Sequence, residues 1–266
     1  MIKVFIAGAT GWAGSALSKG VYGTPDMKLV GGLSRKNKGR DLGLILGLEN
    51  AGIPVYDDID IALSEVDFDV LVDYTSPEIC KKNTISTLRK GKRVVIGTSG
   101  LTAEDYSEIA PIAAENKSSV LAVGNFSITV VLLQKFSEMA AKYISDFEII
   151  DYAQEDKIDS PSGTARELAH RLSQVQKPNV HISDDELIGE KASRGANLEG
   201  VRVHSVRLPG YVISIETLFG LKDEKLTIRH DSGSSADPYV KGALLAIEKV
   251  GTFQGLRRGL DTVMDL

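Results

Sequence analysis

The residues most clearly suited to chemistry lie in the middle of the chain, where a lysine precedes the start of a predicted helix. Lys157 lies five residues before Ser162-Gly163-Thr164, where an apolar strand pattern gives way to a helical one. The first backbone N–H groups of a helix have no partner inside the helix and can hold an anion. A cation is unfavourable at a helix N-terminus unless an anion lies between them, so the stretch predicts a bound carboxylate or phosphate. An ordinary helix cap beside a solvated lysine is the alternative.

A second candidate site is a glycine turn near the N-terminus. Gly8, Gly11 and Gly14 follow directly after the apolar residues 3–7, and a helical pattern comes next. In such a turn Gly8 permits the tight bend, Gly11 lets the backbone approach a pyrophosphate, and Gly14 lets the helix pack close to the strand. The spacing is G-x-x-G-x-x-G rather than the commoner G-x-G-x-x-G. Its place between a strand and a helix nevertheless predicts dinucleotide binding.

The loop after the second predicted strand, at residues 28–33, is basic. It runs from Ser34 to Arg40, contains four cations, and has no acid before Asp41. An acidic residue at this place would accept a hydrogen bond from the ribose 2′-hydroxyl of NAD, whereas cations favour the 2′-phosphate of NADP. The loop therefore predicts NADPH as the cofactor, with NADH as a second option and Arg35 as the main contact. A solvated basic loop is the alternative.

Small and polar residues follow three further predicted strands of the first half. Ligands of open α/β sheets bind at the carboxyl ends of the strands, so these loops are expected to border the nicotinamide and its ribose. Each loop alone could serve only as a helix cap, as Thr102 with Asp105 is predicted to do. Together with the glycine turn and the basic loop, they give the cofactor-binding set Gly8, Thr10, Gly11, Trp12, Ala13, Gly14, Ser34, Arg35, Tyr74, Thr75, Gly97, Thr98, Ser99, Asn125 and Phe126.

The hydrophobic pattern of the first half predicts the scaffold for this set, a Rossmann-type α/β domain. Strand and helix patterns alternate, which indicates a parallel sheet with helices on both faces. Cys80 falls on the apolar side of a predicted helix and is expected in the core. The remaining strands are predicted at 68–74, 93–97 and 120–123, and the helices at 77–89 and 103–116.

The second half changes to long strands with few helices, which is typical of a mixed or mostly antiparallel sheet. The pattern predicts a helix at 129–143, strands at 147–154, 201–207, 211–221 and 225–230, and a long loop at 178–200. A last helix at 238–250 is expected to pack back on the first domain. We therefore predict a dinucleotide-binding domain over 1–125 and 237–266, and an α+β substrate-binding and oligomerisation domain with a mixed sheet over 126–236.

Composition narrows the classes of function. The 266 residues are 42% hydrophobic, which is enough for a sizeable core without disulfides. The single cysteine excludes an internal disulfide and a multi-cysteine zinc site, and no metal is expected. A formal net charge of −5 without long basic runs argues against nucleic-acid and membrane partners. With no signal-peptide or membrane-span pattern, we expect a cytoplasmic protein acting on a small molecule.

The order of the motifs resembles that of 4-hydroxy-tetrahydrodipicolinate reductase, the dihydrodipicolinate reductase of lysine biosynthesis. The resemblance covers nearly the whole chain, and its most specific block is Lys-x-Asp-x-Pro-Ser-Gly-Thr. It implies hydride transfer from NAD(P)H to a cyclic imine or enamine carboxylate in lysine and diaminopimelate biosynthesis, and it implies a homotetramer. The similar blocks are 8–14, 97–100, 124–127, 157–165, 204–210 and 226–232.

The resemblance also implies roles for individual residues. In that family a lysine and the Pro-Ser-Gly-Thr backbone hold the substrate carboxylates, and these roles fall here on Lys157, Ser162, Gly163 and Thr164. Lys157 is in addition the candidate catalytic residue.

The chain departs from the family pattern at two places. A His-His pair helps supply the proton in the family, but Ala153 and Gln154 stand at those positions. An arginine that usually helps to bind substrate is absent from residues 233–238. Lys157 could then donate the proton if desolvation lowers its pKa, and Tyr152, Glu155 and Asp156 are alternative donors in the same stretch.

Three functions remain open after these departures. The chain could be a reductase acting on the family substrate or a related imino acid. It could instead be a divergent paralogue that reduces a different imine or carbonyl, which Ala153 and the missing arginine favour. The third option is a non-catalytic NADPH-binding protein, which would bind the cofactor without turnover.

Overall fold

The structure is a computed structural model that describes residues 1–48 and 52–266. In chain order its strands are β1 (Ile2–Ala7), β2 (Met27–Leu33), β3 (Val55–Tyr56), β4 (Val70–Asp73), β5 (Arg93–Ile96), β6 (Ser119–Ala122), β7 (Phe147–Ala153), β8 (Ala196–Leu198), β9 (Val201–Arg207), β10 (Ile213–Leu221), β11 (Glu224–Ser232) and β12 (Gly255–Arg258). Its helices are α1 (Trp12–Tyr22), α2 (Leu42–Leu46), α3 (Ile59–Glu65), α4 (Pro77–Arg89), α5 (Ala103–Glu115), α6 (Ile128–Ala141), α7 (Gly163–Val175) and α8 (Asp237–Lys249). The described chain divides into two compact units, Met1–Ile128 with Ala236–Leu266, and Thr129–Ser235.

The first unit is built on a parallel sheet. Over residues 1–48 and 52–266, seven strands pair in the order β12-β6-β5-β4-β1-β2-β3. Strands β4 and β6 are buried at every residue, so both faces of the sheet are covered there, as is usual for parallel sheets. On α4 and α5, Cys80 and Ile109 are completely buried in the core. The predicted Rossmann-type fold and the core position of Cys80 are confirmed.

The turn between β1 and α1 requires two glycines. Gly8 has a φ of +79°, and a Cβ atom there would lie 2.5 Å from the backbone oxygen of Tyr74. A Cβ atom on Gly14 would lie 2.1 Å from the carbonyl oxygen of Gly8. A larger residue at position 8 would therefore push the turn away from Tyr74, and one at position 14 would separate α1 from the end of β1.

Helix α8 belongs to the first unit, as predicted from its apolar spacing. It packs against α1, where Trp12 meets the ring of Tyr239 edge-on at a centroid distance of 5.8 Å. Gly242 on α8 lies so close to residue 126 that a Cβ atom would come within 1.9 Å of the Phe126 carbonyl oxygen. Helix α8 therefore packs directly against the loop that follows β6.

The second unit contains the predicted mixed sheet. Its described strands pair in the order β11-β10-β7-β9-β8, in which β7 and β9 are parallel and the other neighbours are antiparallel. Alternate residues of β7 are buried, namely Phe147, Ile149, Asp151 and Ala153. Their face of the sheet packs against α6 and α7, and α7 contributes Ala165, Leu168, Ala169 and Leu172 at helical spacing.

The hydrophobic pattern missed the shortest elements. Strands β3 and β8 have two and three residues, which is too short for a period of two to be recognisable. Strand β8 and a short 3₁₀ helix at Lys191–Arg194 lie inside the segment predicted as a long loop. In the described ranges, no helix is both long enough and apolar enough to span a membrane.

Candidate active site

The predicted cofactor residues of the first unit meet at one edge of the parallel sheet. The glycine turn follows β1, the basic loop follows β2, Tyr74 and Thr75 follow β4, and residues 97–99 follow β5. The strands lie side by side in the order β2, β1, β4, β5. A dinucleotide along this edge would have its adenosine end at β2, its pyrophosphate at β1 and its nicotinamide end at β4 and β5.

The N-terminus of α1 offers donors for a pyrophosphate. Gly11 is the N-cap residue and has no side chain to fill that role. Among the residues that the structure describes, the N–H groups of Trp12 and Ala13 have no hydrogen-bond partner. The N–H of Gly8 donates to the Leu33 carbonyl at 3.0 Å and holds the turn in place. The free donors and the helix dipole fit a diphosphate.

Side chains connect the glycine turn to the basic loop. The hydroxyl groups of Thr10 and Ser34 are 2.8 Å apart. The Asn37 amide donates to both, at 3.3 and 3.2 Å, and its oxygen accepts from Arg40 at 2.9 Å. These hydrogen bonds hold Ser34 at the position after β2 where an acidic residue would select the 2′-hydroxyl of NAD. Because Ser34 is neutral, it does not repel a 2′-phosphate.

A groove of about 780 Å³ beside this loop carries uncompensated positive charge. Arg35 and Lys36 line it, and within residues 1–48 and 52–266 neither has an ion-pair partner. Both acids in the lining are paired with lysines at 2.9 and 3.0 Å, Asp57 with Lys38 and Asp58 with Lys82. The free cations suit a phosphate group.

Two aromatic rings shape the opposite end of this edge. Tyr74 and Phe126 pack edge to face with their centroids 5.8 Å apart. A Cβ atom on Gly97 would lie 2.2 Å from the Tyr74 ring, so only glycine allows this packing. Burial raises the pKa of Tyr74 well above its ordinary value. Asn125 closes the neighbouring turn by accepting from the Ser127 N–H at 2.8 Å, and Ser99 is exposed.

Asp73, the last residue of β4, is a member of this site that the sequence analysis did not single out. Its side chain is completely buried. One carboxylate oxygen accepts from the Thr75 N–H and hydroxyl, at 2.9 and 2.5 Å, and from the Thr98 hydroxyl at 2.9 Å. The other accepts from the Asn83 amide at 2.8 Å. An acid ending an otherwise apolar strand was the available signal.

In the second unit, the predicted anion-binding turn is built around an internal anion, Asp151. This buried carboxylate accepts from the Ser162 N–H at 2.9 Å and from the Ser162 hydroxyl at 2.7 Å. The prediction that the Ser162 N–H is free for a ligand is therefore wrong. Ser162 is the N-cap of α7, and its hydroxyl oxygen accepts from the Ala165 N–H at 3.3 Å. Because Asp151 already serves the helix N-terminus, an external anion is left with the neighbouring donors.

Arg207 neutralises Asp151 and fixes the loop before α7. Its guanidinium donates to the Asp151 carboxylate at 2.7 Å and to the Asp159 carbonyl at 2.8 Å. Ser205 adds a longer hydrogen bond to Asp151, at 3.3 Å. Asp151 is almost completely buried, whereas the Arg207 side chain is about 15% exposed. Arg207 lies 56 residues from Asp151, so no local pattern pointed to the pair.

Lys157 lies in the loop that this pair holds. Its ammonium contacts the Asp159 carboxylate at 2.7 Å and is about one-third exposed. This contact holds the pKa of Asp159 below its ordinary value. Gly163 is exposed and Thr164 is half-buried. In the described part of the chain, the Thr164 N–H has no hydrogen-bond partner and remains a donor for an anion.

The residues just upstream provide no evident proton donor of the family type. Ala153 is completely buried at the end of β7, and Gln154 is exposed, with its carbonyl accepting from the Lys157 N–H at 3.2 Å. Glu155 and Asp156 are both exposed. Neighbours in a strand point to opposite faces, so Tyr152 points away from Asp151 and Ser162.

Tyr152 is engaged on the other face of the sheet. Its hydroxyl donates to Glu216 at 2.7 Å, and its ring stacks on Tyr211 at a centroid distance of 5.0 Å. Burial and the Glu216 contact raise the pKa of Tyr152 to about 12. Arg229 lies over the same ring and pairs with Asp231 and Glu216. Neither Tyr152 nor Arg229 therefore replaces the missing family residues at the turn.

The histidines of the chain do not replace the family pair in an obvious way. Three of them pair with carboxylates at 3.0, 2.5 and 2.6 Å, namely His170 with Glu199, His181 with Asp146 and His204 with Glu148. His230 is half-buried on β11, and burial lowers its pKa. It is two strands from Asp151, opposite Ile215 in the sheet.

Comparisons with known proteins agree along the whole chain. Residues 2–126 match the family model described as dihydrodipicolinate reductase, N-terminus, and residues 129–264 match the corresponding C-terminus. The 4-hydroxy-tetrahydrodipicolinate reductase of Bacillus cytotoxicus is 38% identical over 264 residues, 99% of each chain, and that of Bacillus pumilus is 39% identical over 266 residues, 99% of this chain and 98% of that one. The structure of a dipicolinate-bound dihydrodipicolinate reductase from Paenisporosarcina sp. TG-14 superposes with a TM-score of 0.89 at 32% identity, covering 99% of this chain and all of the other. An amine dehydrogenase from Mycobacterium smegmatis, 14% identical with a TM-score of 0.68 over 100% of this chain and 96% of that one, shares the fold.

Proposed function

Because this chain belongs to the dihydrodipicolinate reductase family, we propose that it reduces 4-hydroxy-tetrahydrodipicolinate, or a closely related cyclic imino acid, with NADPH. The family membership makes it an NAD(P)H-dependent oxidoreductase. The observation that carries the substrate proposal is the turn at residues 157–164, which Asp151 and Arg207 hold in place. On this turn the Lys157 ammonium, paired with Asp159, would exchange that partner for a substrate carboxylate, and the Thr164 N–H is a further donor. Such a site suits the dicarboxylate of the family reaction.

NADPH supplies the hydride when it is bound, and residues of the first unit bind it. We assign the pyrophosphate to the free N–H groups of Trp12 and Ala13, and the 2′-phosphate to Arg35 and Lys36. The neutral Ser34 does not select against that phosphate. The remaining predicted contacts, residues 74–75, 97–99 and 125–126, are assigned to the nicotinamide end. We therefore assign dinucleotide binding to the first unit, Met1–Ile128 with Ala236–Leu266, whose bounds lie within three residues of the predicted 1–125 and 237–266, and substrate binding to the second unit, predicted as 126–236.

In this proposal Lys157 binds a substrate carboxylate and donates the proton that the reduced product requires. Thr164 contributes a backbone donor, the Gly163 N–H is shared with the Asp159 carboxylate, and Ser162 contributes indirectly because it fixes the turn through Asp151. An ammonium group near the reacting nitrogen would polarise the C=N bond toward hydride attack. Lys157 combines the right charge, partial exposure and a rigidly held loop.

The direct test is turnover. Purified protein is supplied with NADPH and freshly generated 4-hydroxy-tetrahydrodipicolinate, and NADPH oxidation is followed by its absorbance. We expect substrate-dependent oxidation that dipicolinate inhibits competitively. Cofactor binding without oxidation on any cyclic imino acid would contradict the proposal.

A second candidate function is reduction of a different imine or carbonyl substrate. Ala153, completely buried where the family has a histidine, is the observation that favours it. The two functions are distinguished by measuring kcat/KM for a panel of cyclic imines, α-imino acids and carbonyl compounds beside the family substrate. A kcat/KM that is higher for another member of the panel would select this second function.

We further propose that the protein acts in the cytoplasm, in lysine and diaminopimelate biosynthesis, as a homotetramer. The support for all three is membership of the dihydrodipicolinate reductase family. Light scattering after size exclusion tests the assembly, since a tetramer would have four times the chain mass of 28.6 kDa.

A further inference from the structure

We propose that Asp73 is a positioning residue of the cofactor site and that its negative charge favours the oxidised, cationic form of the nicotinamide. The proposal rests on the proposed function only for the identity of the ligand, a nicotinamide dinucleotide. It concerns cofactor binding in the first unit and is independent of the imine that is reduced.

Asp73 holds together two loops of the candidate cofactor site. It receives the N–H and hydroxyl of Thr75 after β4 and the hydroxyl of Thr98 after β5. The Thr98 oxygen in turn accepts from the Thr75 N–H at 2.9 Å. The Asn83 amide anchors the same carboxylate to α4. Hydrogen bonds from one buried acceptor group thus fix the relative positions of the loops that carry Tyr74, Thr75 and residues 97–99.

The charge of Asp73 is solvated by neutral donors alone. Asp151 in the second unit is also completely buried at a strand end, and it has Arg207 at 2.7 Å. For Asp73, no lysine, arginine or histidine forms an ion pair with it anywhere in residues 1–48 and 52–266. Burying a carboxylate without a cation is unfavourable unless hydrogen bonds or a ligand compensate. The hydrogen bonds supply part of that compensation, and a cationic ligand would add to it.

The place of Asp73 in the sheet makes the nicotinamide the relevant ligand group. In the strand order β2, β1, β4, β5 the phosphate-binding elements belong to β2 and β1, and Asp73 ends β4. Loss of a hydride converts the neutral dihydronicotinamide into a pyridinium cation. A fixed carboxylate in a poorly solvated region stabilises the cation over the neutral ring. The same field assists the departure of the hydride, because the positive charge develops during that step.

Binding measurements on three variants test both parts of the proposal. Dissociation constants of NADP⁺ and NADPH, and of NAD⁺ and NADH, are measured by calorimetry or fluorescence for the wild type, Asp73→Asn, Asp73→Ser and Thr98→Val. Circular dichroism checks that each variant is folded. Asp73→Ser keeps an acceptor for the Thr75 N–H and serves if the asparagine variant does not fold. Thr98→Val disturbs the loops but keeps the charge.

We expect both neutral variants to weaken NADP⁺ on the order of tenfold and NADPH by a clearly smaller factor. The NAD⁺ and NADH pair should shift in the same ratio, because the effect concerns the nicotinamide and not the 2′-phosphate. Thr98→Val should weaken oxidised and reduced forms equally. Equal losses of both forms in the Asp73 variants would overturn the charge effect, and unchanged binding in all three variants would overturn the positioning role. A wild type that binds the dinucleotides but reduces no imine would overturn the proposed function alone.

Discussion

Position 153, where the family places a proton-donating histidine, is alanine in this chain, and Lys157 on the turn at residues 157–164 is then our candidate proton donor. The two positions differ in how the chain uses them. Ala153 is inaccessible in the core, whereas Lys157 is about one-third exposed on a loop whose backbone Arg207 holds. At the residue scale, we therefore propose that the chemistry depends on Lys157.

Replacing Lys157 tests this assignment. We expect Lys157→Ala to lower kcat/KM by about 10²–10⁴-fold, because both carboxylate binding and proton donation are lost. The dissociation constant of NADPH should stay unchanged. Lys222→Ala is the matched control, since Lys222 is exposed in the turn between β10 and β11. A Lys157→Ala enzyme with near wild-type kcat/KM would exclude Lys157 from the reaction.

Introducing a histidine should raise kcat at position 154 but lower the stability of the fold at position 153. Gln154 is exposed, so Gln154→His can add an imidazole beside the turn, and we expect a several-fold higher kcat that declines above the histidine pKa of about 6.5. Ala153 has no free space around it, so Ala153→His should lower the free energy of unfolding by about 1–3 kcal/mol. Kinetics across pH and urea unfolding separate the two outcomes. A Gln154→His variant with an unchanged pH profile would show that position 154 does not reach the substrate.

At the scale of elements, the turn before α7 is held by one buried ion pair rather than by its own sequence. The apolar run before the turn predicted the strand and the helical spacing after it predicted the helix, because apolar periodicity and capping residues are local signals. These local signals did not predict that Asp151 occupies the helix N-terminus or that Arg207 balances it. The first contact joins a strand to a helix N-cap and the second joins two strands, and periodicity reports neither kind of contact.

Removing the charge of Asp151 should therefore destabilise the second unit. Asp151→Asn keeps the shape but leaves the Arg207 guanidinium buried without a counter-charge, which costs about 3–5 kcal/mol of unfolding free energy. Asp146→Asn is the control, because Asp146 pairs with His181 at the surface and such pairs contribute about 0–1 kcal/mol. Denaturant unfolding of both variants measures the difference. Equal stability of the two variants would contradict the structural role of Asp151.

The glycine turn gives a second prediction at this scale. Gly8 and Gly91 both have positive φ, +79° and +68°, but only Gly8 has backbone atoms within reach of an added Cβ. Gly91→Ala should therefore cost only the strain of the left-handed conformation, about 1 kcal/mol. Gly8→Ala should in addition displace the turn from Tyr74 and weaken NADPH binding on the order of tenfold or more. Calorimetric titration with NADPH would contradict this if both variants bound equally well.

At the scale of the whole molecule, the sequence predicted the fold class better than the position of charge. Alternating strand and helix patterns were sufficient for the parallel sheet, and long successive strands were sufficient for the mixed sheet. The sequence predicted that all cations of the basic loop at residues 34–40 favour the phosphate, but in the structure they differ in whether they are ion-paired. Lys38 is paired with Asp57, while Arg35 and Lys36 line the groove and have no ion-pair partner among the described residues. Which cation is free depends on β3 and its flanking loop, which the pattern did not reveal.

This division matters because the chain as a whole is negative, with a formal charge of −5, and its cofactor is a polyanion. The long-range field therefore opposes binding, and the free cations must act locally.

We expect Arg35→Ala to raise the dissociation constant of NADPH about tenfold and to leave that of NADH nearly unchanged, because the lost contact is to the 2′-phosphate. Lys38→Ala removes the same charge from the same loop, but from a paired side chain, and should affect both cofactors little. Raising the salt concentration should weaken NADPH more than NADH in the wild type, and this difference should shrink in Arg35→Ala. Equal losses in the two variants would mean that the loop acts through its total charge, and the assignment of Arg35 to the phosphate would then be wrong.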